Sequence, residues 1–196
     1  MTVIEYVSVF VSIVLGLAAA ELGTSFHRIM RARKRVKWDW MSLALAFYML
    51  LNVVAVWWAS YLWYATKTEL RMVEFLPDLA ILVLTYLAAA AVLPDEIPPR
   101  GLDLKEYYFE TAPYFWSLNA LLLALAIVIL GPRYTGGVHI AAIAKEQAAN
   151  IILLTLALAL IFVRRPWFHT VAIVYIVGLT AWDYLTTGAL NLHAAG

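Results

Sequence analysis

The chain alternates long apolar segments with short polar ones. Each apolar segment has about 17–25 residues, the length at which a helix crosses a hydrocarbon core of about 30 Å. This pattern predicts an all-α, polytopic integral membrane protein whose residues 1–196 form one membrane domain. The six predicted transmembrane helices cover approximately residues 3–25, 40–64, 75–93, 113–131, 147–163 and 167–187.

Composition supports this prediction independently of the segment boundaries. Hydrophobic residues make up 64% of the chain and charged residues 14%, and the mean hydropathy is +0.82. The charged fraction is well below the quarter that is typical of soluble domains. The absence of cysteine excludes disulfides, thiolate metal sites and cysteine nucleophiles. The net charge of +1 gives no reason to expect a nucleic-acid partner.

The distribution of Lys and Arg predicts an orientation, because short loops rich in these residues stay on the cytoplasmic side. The loops after the first, third and fifth predicted helices carry ten such residues, and the opposite side carries four. Both termini are therefore predicted on the non-cytoplasmic side of a bacterial cytoplasmic (inner) membrane. The ten residues are Arg28, Arg31, Arg33, Lys34, Arg35, Lys37, Arg100, Lys105, Arg164 and Arg165, and the four are Lys67, Arg71, Arg133 and Lys145.

Proline and glycine mark the predicted ends of helices. The segment Pro94–Gly101 contains three prolines and ends the third predicted helix. Residues Leu102–Glu110 then form an acidic, amphipathic stretch, which we interpret as a short interfacial helix or a partner contact. Gly131 and Pro132 predict a turn directly after the fourth helix.

Small residues recur along one face of the first predicted helix. Such a stripe lets another backbone approach closely, so it predicts a helix-packing seam within the bundle or between copies of the chain. A pore lining is the alternative. The seam consists of Ser8, Ser12, Gly16 and Ala20.

Polar residues inside the apolar segments are candidates for a polar pathway, because charges in hydrocarbon are costly and are usually functional. Asp183 lies near a helix C-terminus, where the macrodipole disfavours a negative charge. The alternative to a pathway role is an ion pair with Arg133 or Lys145. For Glu21 the alternative is a carboxylate that pairs with the basic cluster after the first helix or forms a hydrogen bond near Ser25. For Asn52 the alternative is a hydrogen bond between helices. The pathway candidates are Asp183, Glu21, Asn52, Thr180, Thr85 and His169.

Four polar residues are predicted at one depth on the outer side, where they would form an acidic mouth that concentrates cations. For Glu5 and Asp78 the alternative is a favourable interaction with the dipole of the helix that each begins. The candidates for this outer mouth are Glu5, Asp78, Glu146 and Asn150.

The motifs of the common enzyme classes are absent from the sequence, which contains no HExxH, GxSxG, Walker A or GxGxxG pattern. His27, His139, His169 and His193 lie on different elements without the spacing of metal ligands. A bis-histidine haem would require His27 and His169, the two at one depth, to face each other. We therefore expect no catalytic residues, no metal and no cofactor, and a haem between His27 and His169 or a quinone is the alternative that the sequence leaves open.

Two functions agree with this sequence. The first is a small channel or transporter protomer for an ion or small polar solute. The alternative is a non-catalytic membrane subunit that docks partner proteins in a larger complex, through the seam on the first helix and the Leu102–Glu110 stretch. In either case we expect the lipid bilayer as surroundings and association with further copies or with other membrane subunits.

Overall fold

The computed structural model describes residues 3–65, 67, 69–135, 144–145 and 147–187. These residues form a helical bundle, which confirms the predicted helical class. Two strands of two residues each, β1 (Val36–Lys37) and β2 (Leu102–Asp103), are the addition that the sequence did not predict. The long helices are α1 (Val3–Arg31), α2 (Trp40–Ala65), α3 (Met72–Ala91), α4 (Leu104–Thr135), α5 (Ala148–Phe162) and α6 (Pro166–Thr187).

Four of these helices, α1 to α4, are long and apolar enough to cross a membrane. The other two are apolar but shorter in the described part of the chain, where they cover Ala148–Phe162 and Pro166–Trp182. By length and composition the structure thus supports four membrane-crossing helices out of the six predicted.

The outside of the bundle carries large apolar side chains. Val128 is 70% exposed, Phe162 79% and Leu185 78%. Soluble monomers rarely expose continuous apolar surface of this kind, because contact of such surface with water is unfavourable. The surface is therefore compatible with a protein that is surrounded by lipid.

The core lies where α1 packs on α2 and α3, and where α4 packs on α3 and α5. α6 packs on α2. On α1 the buried positions are spaced three or four residues apart, which is the spacing of a single helical face. That face consists of Val7, Val11, Leu15, Ala18, Leu22, Ser25 and Ile29.

The helix α4 differs from the prediction at both ends. It begins at Leu104 instead of residue 113, because Asp103 Oδ1 accepts hydrogen bonds from the backbone N–H groups of Lys105 (2.9 Å) and Glu106 (3.3 Å) and so caps the helix. The Leu102–Glu110 stretch is therefore not a separate interfacial helix. Its apolar members Leu104 and Tyr108 are buried. At the other end the helix continues through the predicted turn at Gly131 and Pro132 to Thr135.

The two strands fasten the loop after α1 to the loop before α4. They pair in parallel, with Val36 opposite Leu102 and Lys37 opposite Asp103. Lys37 Nζ lies 2.8 Å from Asp103 Oδ2. The hydrogen bond with Lys37 lowers the pKa of Asp103, and the same bond raises the pKa of Lys37. We call the end of the bundle that holds these strands the basic end, and the opposite end, where α1 begins, the N-terminal end.

Gly101 allows the loop before α4 to approach the loop after α1 closely. Its φ is +94°, and a Cβ at this position would lie 2.6 Å from the backbone oxygen of Arg35. We expect Gly101→Ala to lower the free energy of unfolding by about 1–3 kcal/mol, since it adds both strain and a clash with backbone. Thermal unfolding in detergent measures the effect.

Gly178→Ala is the matched control for this substitution. Gly178 lies inside α6, and an added Cβ there meets nothing within 4 Å. Because Ala is the better helix former, this variant should be as stable as the original chain or slightly more stable. Equal stability of the two variants would contradict the role given to Gly101.

Candidate functional site

A cavity of about 410 Å³ lies between α2, α3, α4 and α5. It extends along α2 from Asn52 to Trp63, which corresponds to about 16 Å at the rise of an α-helix. Its wall is mostly apolar, with side chains such as Val56, Ile81 and Leu123. The polar residues among its described lining are Asn52, Ser60, Asp78, Arg133 and Asn150.

An ion pair forms the charged part of this wall. Arg133 Nη1 donates to Asp78 Oδ1 at 2.7 Å, and Arg133 Nη2 donates to Asp78 Oδ2 at 3.2 Å. The side chain of Arg133 is only 14% exposed and that of Asp78 only 11%. The planar guanidinium fits the carboxylate in this two-bond arrangement, which is the strongest geometry for such a pair.

Aromatic side chains complete the surroundings of the pair. Tyr64, at the end of α2, is buried and donates its hydroxyl to Asp78 Oδ2 at 2.6 Å. Arg133 Cζ lies 4.5 Å from the centre of the Trp63 ring, and Lys67 Nζ lies 4.3 Å from the centre of that ring. Both distances are typical of cation–π contacts. The carboxylate is thus held by three hydrogen bonds from two other helices.

The two asparagines that line the cavity are bonded locally. Asn52 Nδ2 donates to the backbone oxygen of Tyr48 at 3.0 Å, so the bond it forms among the described residues is within its own helix, and a bond between helices stays a prediction. Asn150 Nδ2 donates to Gln147 Oε1 at 2.6 Å. A side-chain amide has two N–H donors and one oxygen acceptor, so each retains capacity for a ligand.

A second polar network lies at the basic end. His169 Nε2 lies 2.6 Å from the backbone oxygen of Val163, and because a carbonyl only accepts, this nitrogen carries the hydrogen. His169 Nδ1 therefore accepts from the hydroxyl of Tyr108 at 2.5 Å. Trp116 Nε1 in turn donates to the Tyr108 oxygen at 3.2 Å. The network ties α4 to the end of α5 and the start of α6.

Three of the sequence candidates meet in the cavity, namely Asn52, Asp78 and Asn150. Thr85 is buried on α3 and bonds its own helix at the backbone oxygen of Ile81, at 2.8 Å. Thr180 is half-buried on α6 and is not among the described residues that line the cavity.

The remaining candidates lie elsewhere. Ser25 Oγ donates to Glu21 Oε1 at 3.3 Å on the basic half of α1, as the alternative interpretation of Glu21 predicted. Glu5 is exposed on the first turn of α1. Glu146 and the side chain of Asp183 lie outside the described part of the structure.

Two expectations about charge change with this geometry. Arg133, which we considered as a partner of Asp183, bonds Asp78, and its predicted pairing with Asp183 falls outside the described residues. Asp78 therefore does not add a net negative charge to an outer acidic mouth, because the neighbouring guanidinium cancels it. Nothing in the sequence pattern of α4 distinguished Arg133, although Asp78 and Arg133 are both predicted near the outer side.

The small-residue stripe lies on the outside of α1. Ser12, Gly16 and Ala20 are exposed, and an added Cβ at Gly16 meets no atom within 4 Å. Trp57 Nε1 donates to Ser12 Oγ at 3.0 Å, at one edge of the stripe. No neighbouring helix in the described chain packs on Gly16, so the structure does not show a seam inside the bundle there, and contact with another copy stays a prediction.

Comparison with known proteins adds no family to this description. No protein-family model, no curated protein and no solved structure matches the chain.

Proposed function

We propose that the chain is a multi-pass protein of a cytoplasmic membrane and that it acts as a transporter or channel protomer, taking a small solute into the cavity between α2 and α5. This proposal is supported chiefly by the Asp78–Arg133 ion pair in the wall of an otherwise mostly apolar cavity. Removing two charges from water costs several kcal/mol per ion before pairing offsets it, and ionisable groups in such surroundings usually serve binding or transport.

The composition of the cavity favours a class of solute. A volume of about 410 Å³ lies within the range of small-molecule sites, which are typically apolar with a few placed polar groups. A bare inorganic ion would find few ligands along this wall. We therefore expect an organic solute with an apolar body and one polar end.

The proposed topology keeps six membrane-crossing helices, with α5 and α6 completing the four longer ones. The ten-to-four distribution of Lys and Arg supports an orientation with the N-terminal end of the bundle outside the cell. The cavity would then take up solute near the outer face, where Asp78 lies in the second turn of α3 and Arg133 in the last turn of α4.

Filling the cavity should abolish its function. Ala59 lines the cavity on α2, and Ala59→Phe places a ring inside it. We expect uptake of solute by sealed proteoliposomes to fall at least about tenfold, because a loss of binding of only 1.4 kcal/mol already has this effect. The probes are radiolabelled naphthalene-2-sulfonate, the uncharged naphthalene-2-sulfonamide and the cationic trimethyl(2-naphthyl)ammonium, with protein-free liposomes as background.

Val54→Phe is the matched control, since Val54 is 48% exposed on the outer face of α2 and does not line the cavity. It adds a ring to the same helix and should leave uptake unchanged. Equal uptake by the two variants, or no uptake of any probe by the original chain, would contradict the proposal.

A second candidate is the non-catalytic subunit that docks other membrane proteins. It is favoured by the outward-facing Ser12, Gly16 and Ala20, which leave room for another helix to approach α1. A chain that carries no solute but remains dimeric or larger in detergent fits this candidate.

A further inference from the structure

The charged groups of the cavity cancel each other in the structure. Among the described residues that line the cavity, Asp78 is the only carboxylate and Arg133 the only cation. They bond each other through two hydrogen bonds, at 2.7 and 3.2 Å. A charged solute that entered this wall would therefore bring an uncompensated charge into a poorly solvated place, unless one member of the pair changed its own charge.

Only one member can do so. An arginine guanidinium keeps its proton at every ordinary pH, whereas a carboxylate becomes neutral when it binds a proton. Loss of charge at Asp78 leaves the positive charge of Arg133 available, and an anion can then occupy the place of the carboxylate. A cation has no equivalent exchange, because Arg133 would have to leave the site with its charge.

We infer that the cavity binds an organic monoanion together with one proton, the anion at Arg133 and the proton on Asp78. The inference rests on the proposed function and specifies its substrate class. One O–H bond forms on Asp78 with a proton from a hydronium ion of the solution, whose own O–H bond breaks to leave water, and the hydrogen bonds from Arg133 pass from Asp78 to the anion. The net charge of the site is zero before and after, so the step balances without any further reactant.

The geometry fits an anion with a flat or trigonal head and an apolar body. A guanidinium donates two parallel hydrogen bonds to carboxylate-like or sulfonate-like groups, as it now does to Asp78. Val56, Leu122 and Leu123 line the wall toward Asn52, which lies about 16 Å from Trp63 along α2. An aromatic or aliphatic body bonded to one acidic head matches this arrangement.

Other ionisable groups near Asp78 define the controls. From α2, Tyr64 donates its hydroxyl to Asp78 at 2.6 Å. Lys67 lies on the segment that leads into α3, and its Nζ is 3.9 Å from Oε2 of Glu74, in the first turn of α3. α1 contributes Glu5 at the same end of the bundle, and Lys145 precedes α5 and is exposed. The remaining group in contact with Asp78 is Arg133 of α4.

The test is equilibrium binding of labelled naphthalene-2-sulfonate to the purified protein in nanodiscs between pH 5 and pH 9, with empty nanodiscs as background. The sulfonate stays charged over this range, so any pH dependence belongs to the protein. The dissociation constant should rise up to about tenfold per pH unit above the protonation midpoint, and one proton should be taken up per anion bound. A pH-indicator dye in weak buffer measures that proton uptake.

Three variants assign the proton and the anion. Asp78→Asn should bind the sulfonate with no pH dependence and no proton uptake, whereas Arg133→Gln should not bind it at any pH. Tyr64→Phe is the conservative variant that keeps the pair intact, and it should retain both the pH dependence and the proton uptake. Glu74→Gln is the control and should leave the pH dependence in place.

The outcomes separate this inference from the proposed function. Binding of the sulfonate that is independent of pH in the original chain, or a preference for the uncharged sulfonamide or the cationic ammonium probe, overturns the inference. If Ala59→Phe still abolishes that binding, the cavity remains a solute site and the proposed function stands. If none of the three probes binds, both fail.

Discussion

Arg133→Gln is expected to lower the free energy of unfolding by about 3–5 kcal/mol, the usual cost of removing one partner from a buried ion pair. The substitution leaves the carboxylate of Asp78, 11% exposed, without its counter-charge. Protonation of Asp78 removes that unpaired charge, so the destabilisation should become smaller as the pH falls. Thermal unfolding in detergent between pH 5 and pH 8 measures both effects.

Two further variants test whether the unpaired charge of Asp78 causes this loss of stability. The double variant Asp78→Asn with Arg133→Gln replaces the pair by two neutral amides, and it should recover most of the stability. Lys67→Gln removes a cation from a longer and more exposed pair, in which Nζ lies 3.9 Å from Glu74, and should cost no more than about 1 kcal/mol. A single Arg133 variant as stable as the Lys67 variant would show that the pair is solvated.

His169→Ala is expected to be the other strongly destabilising change, by about 2–4 kcal/mol. His169 is 1% exposed, so its removal leaves a cavity in the core. It also leaves the backbone oxygen of Val163 without the donor at 2.6 Å and the Tyr108 hydroxyl without its acceptor. Buried polar groups that lose their partners add to the cost.

His27→Ala is the control for this change, because His27 is exposed on α1 and surface substitutions usually alter stability by no more than about 0.5 kcal/mol. Unfolding monitored by circular dichroism compares the two. If His169→Ala is no less stable than His27→Ala, the network of Trp116, Tyr108 and His169 does not hold α4 to α5 and α6.

The sequence predicted the helices better than their contacts. Hydrophobic run lengths placed α2 at 40–64 against the observed Trp40–Ala65, because a helix signal is local. The start of α4 was missed because the cap at Asp103 and the burial of Leu104 and Tyr108 depend on neighbours far away in the chain. In such segments tertiary packing outweighs the local sequence signals for the end of a helix. For the same reason α4 continues through Pro113 and Pro132.

The candidate site was predicted only in part, for the same reason. Asn52, Asp78 and Asn150 could be named because polar residues stand out in apolar runs. The partner of Asp78 lies on another helix at a separation of 55 residues, and nothing in a single sequence states which helices meet. The sequence therefore predicted an acidic site, whereas the structure has a neutral one, because Arg133 lies beside Asp78.

The proposed function requires a solute-accessible cavity beside the Asp78–Arg133 pair. The chain contains no cysteine, so a single engineered cysteine can be labelled without background. The deciding measurement is the rate at which the membrane-impermeant anionic reagent (2-sulfonatoethyl) methanethiosulfonate modifies Ala59→Cys and Val54→Cys in intact cells. We expect that Ala59→Cys reacts from outside, that naphthalene-2-sulfonate slows this reaction, and that Val54→Cys, which is exposed on the outer face of the bundle, does not react. Equal rates at the two positions, or an Ala59→Cys rate unaffected by the sulfonate, would contradict the presence of a solute-accessible cavity.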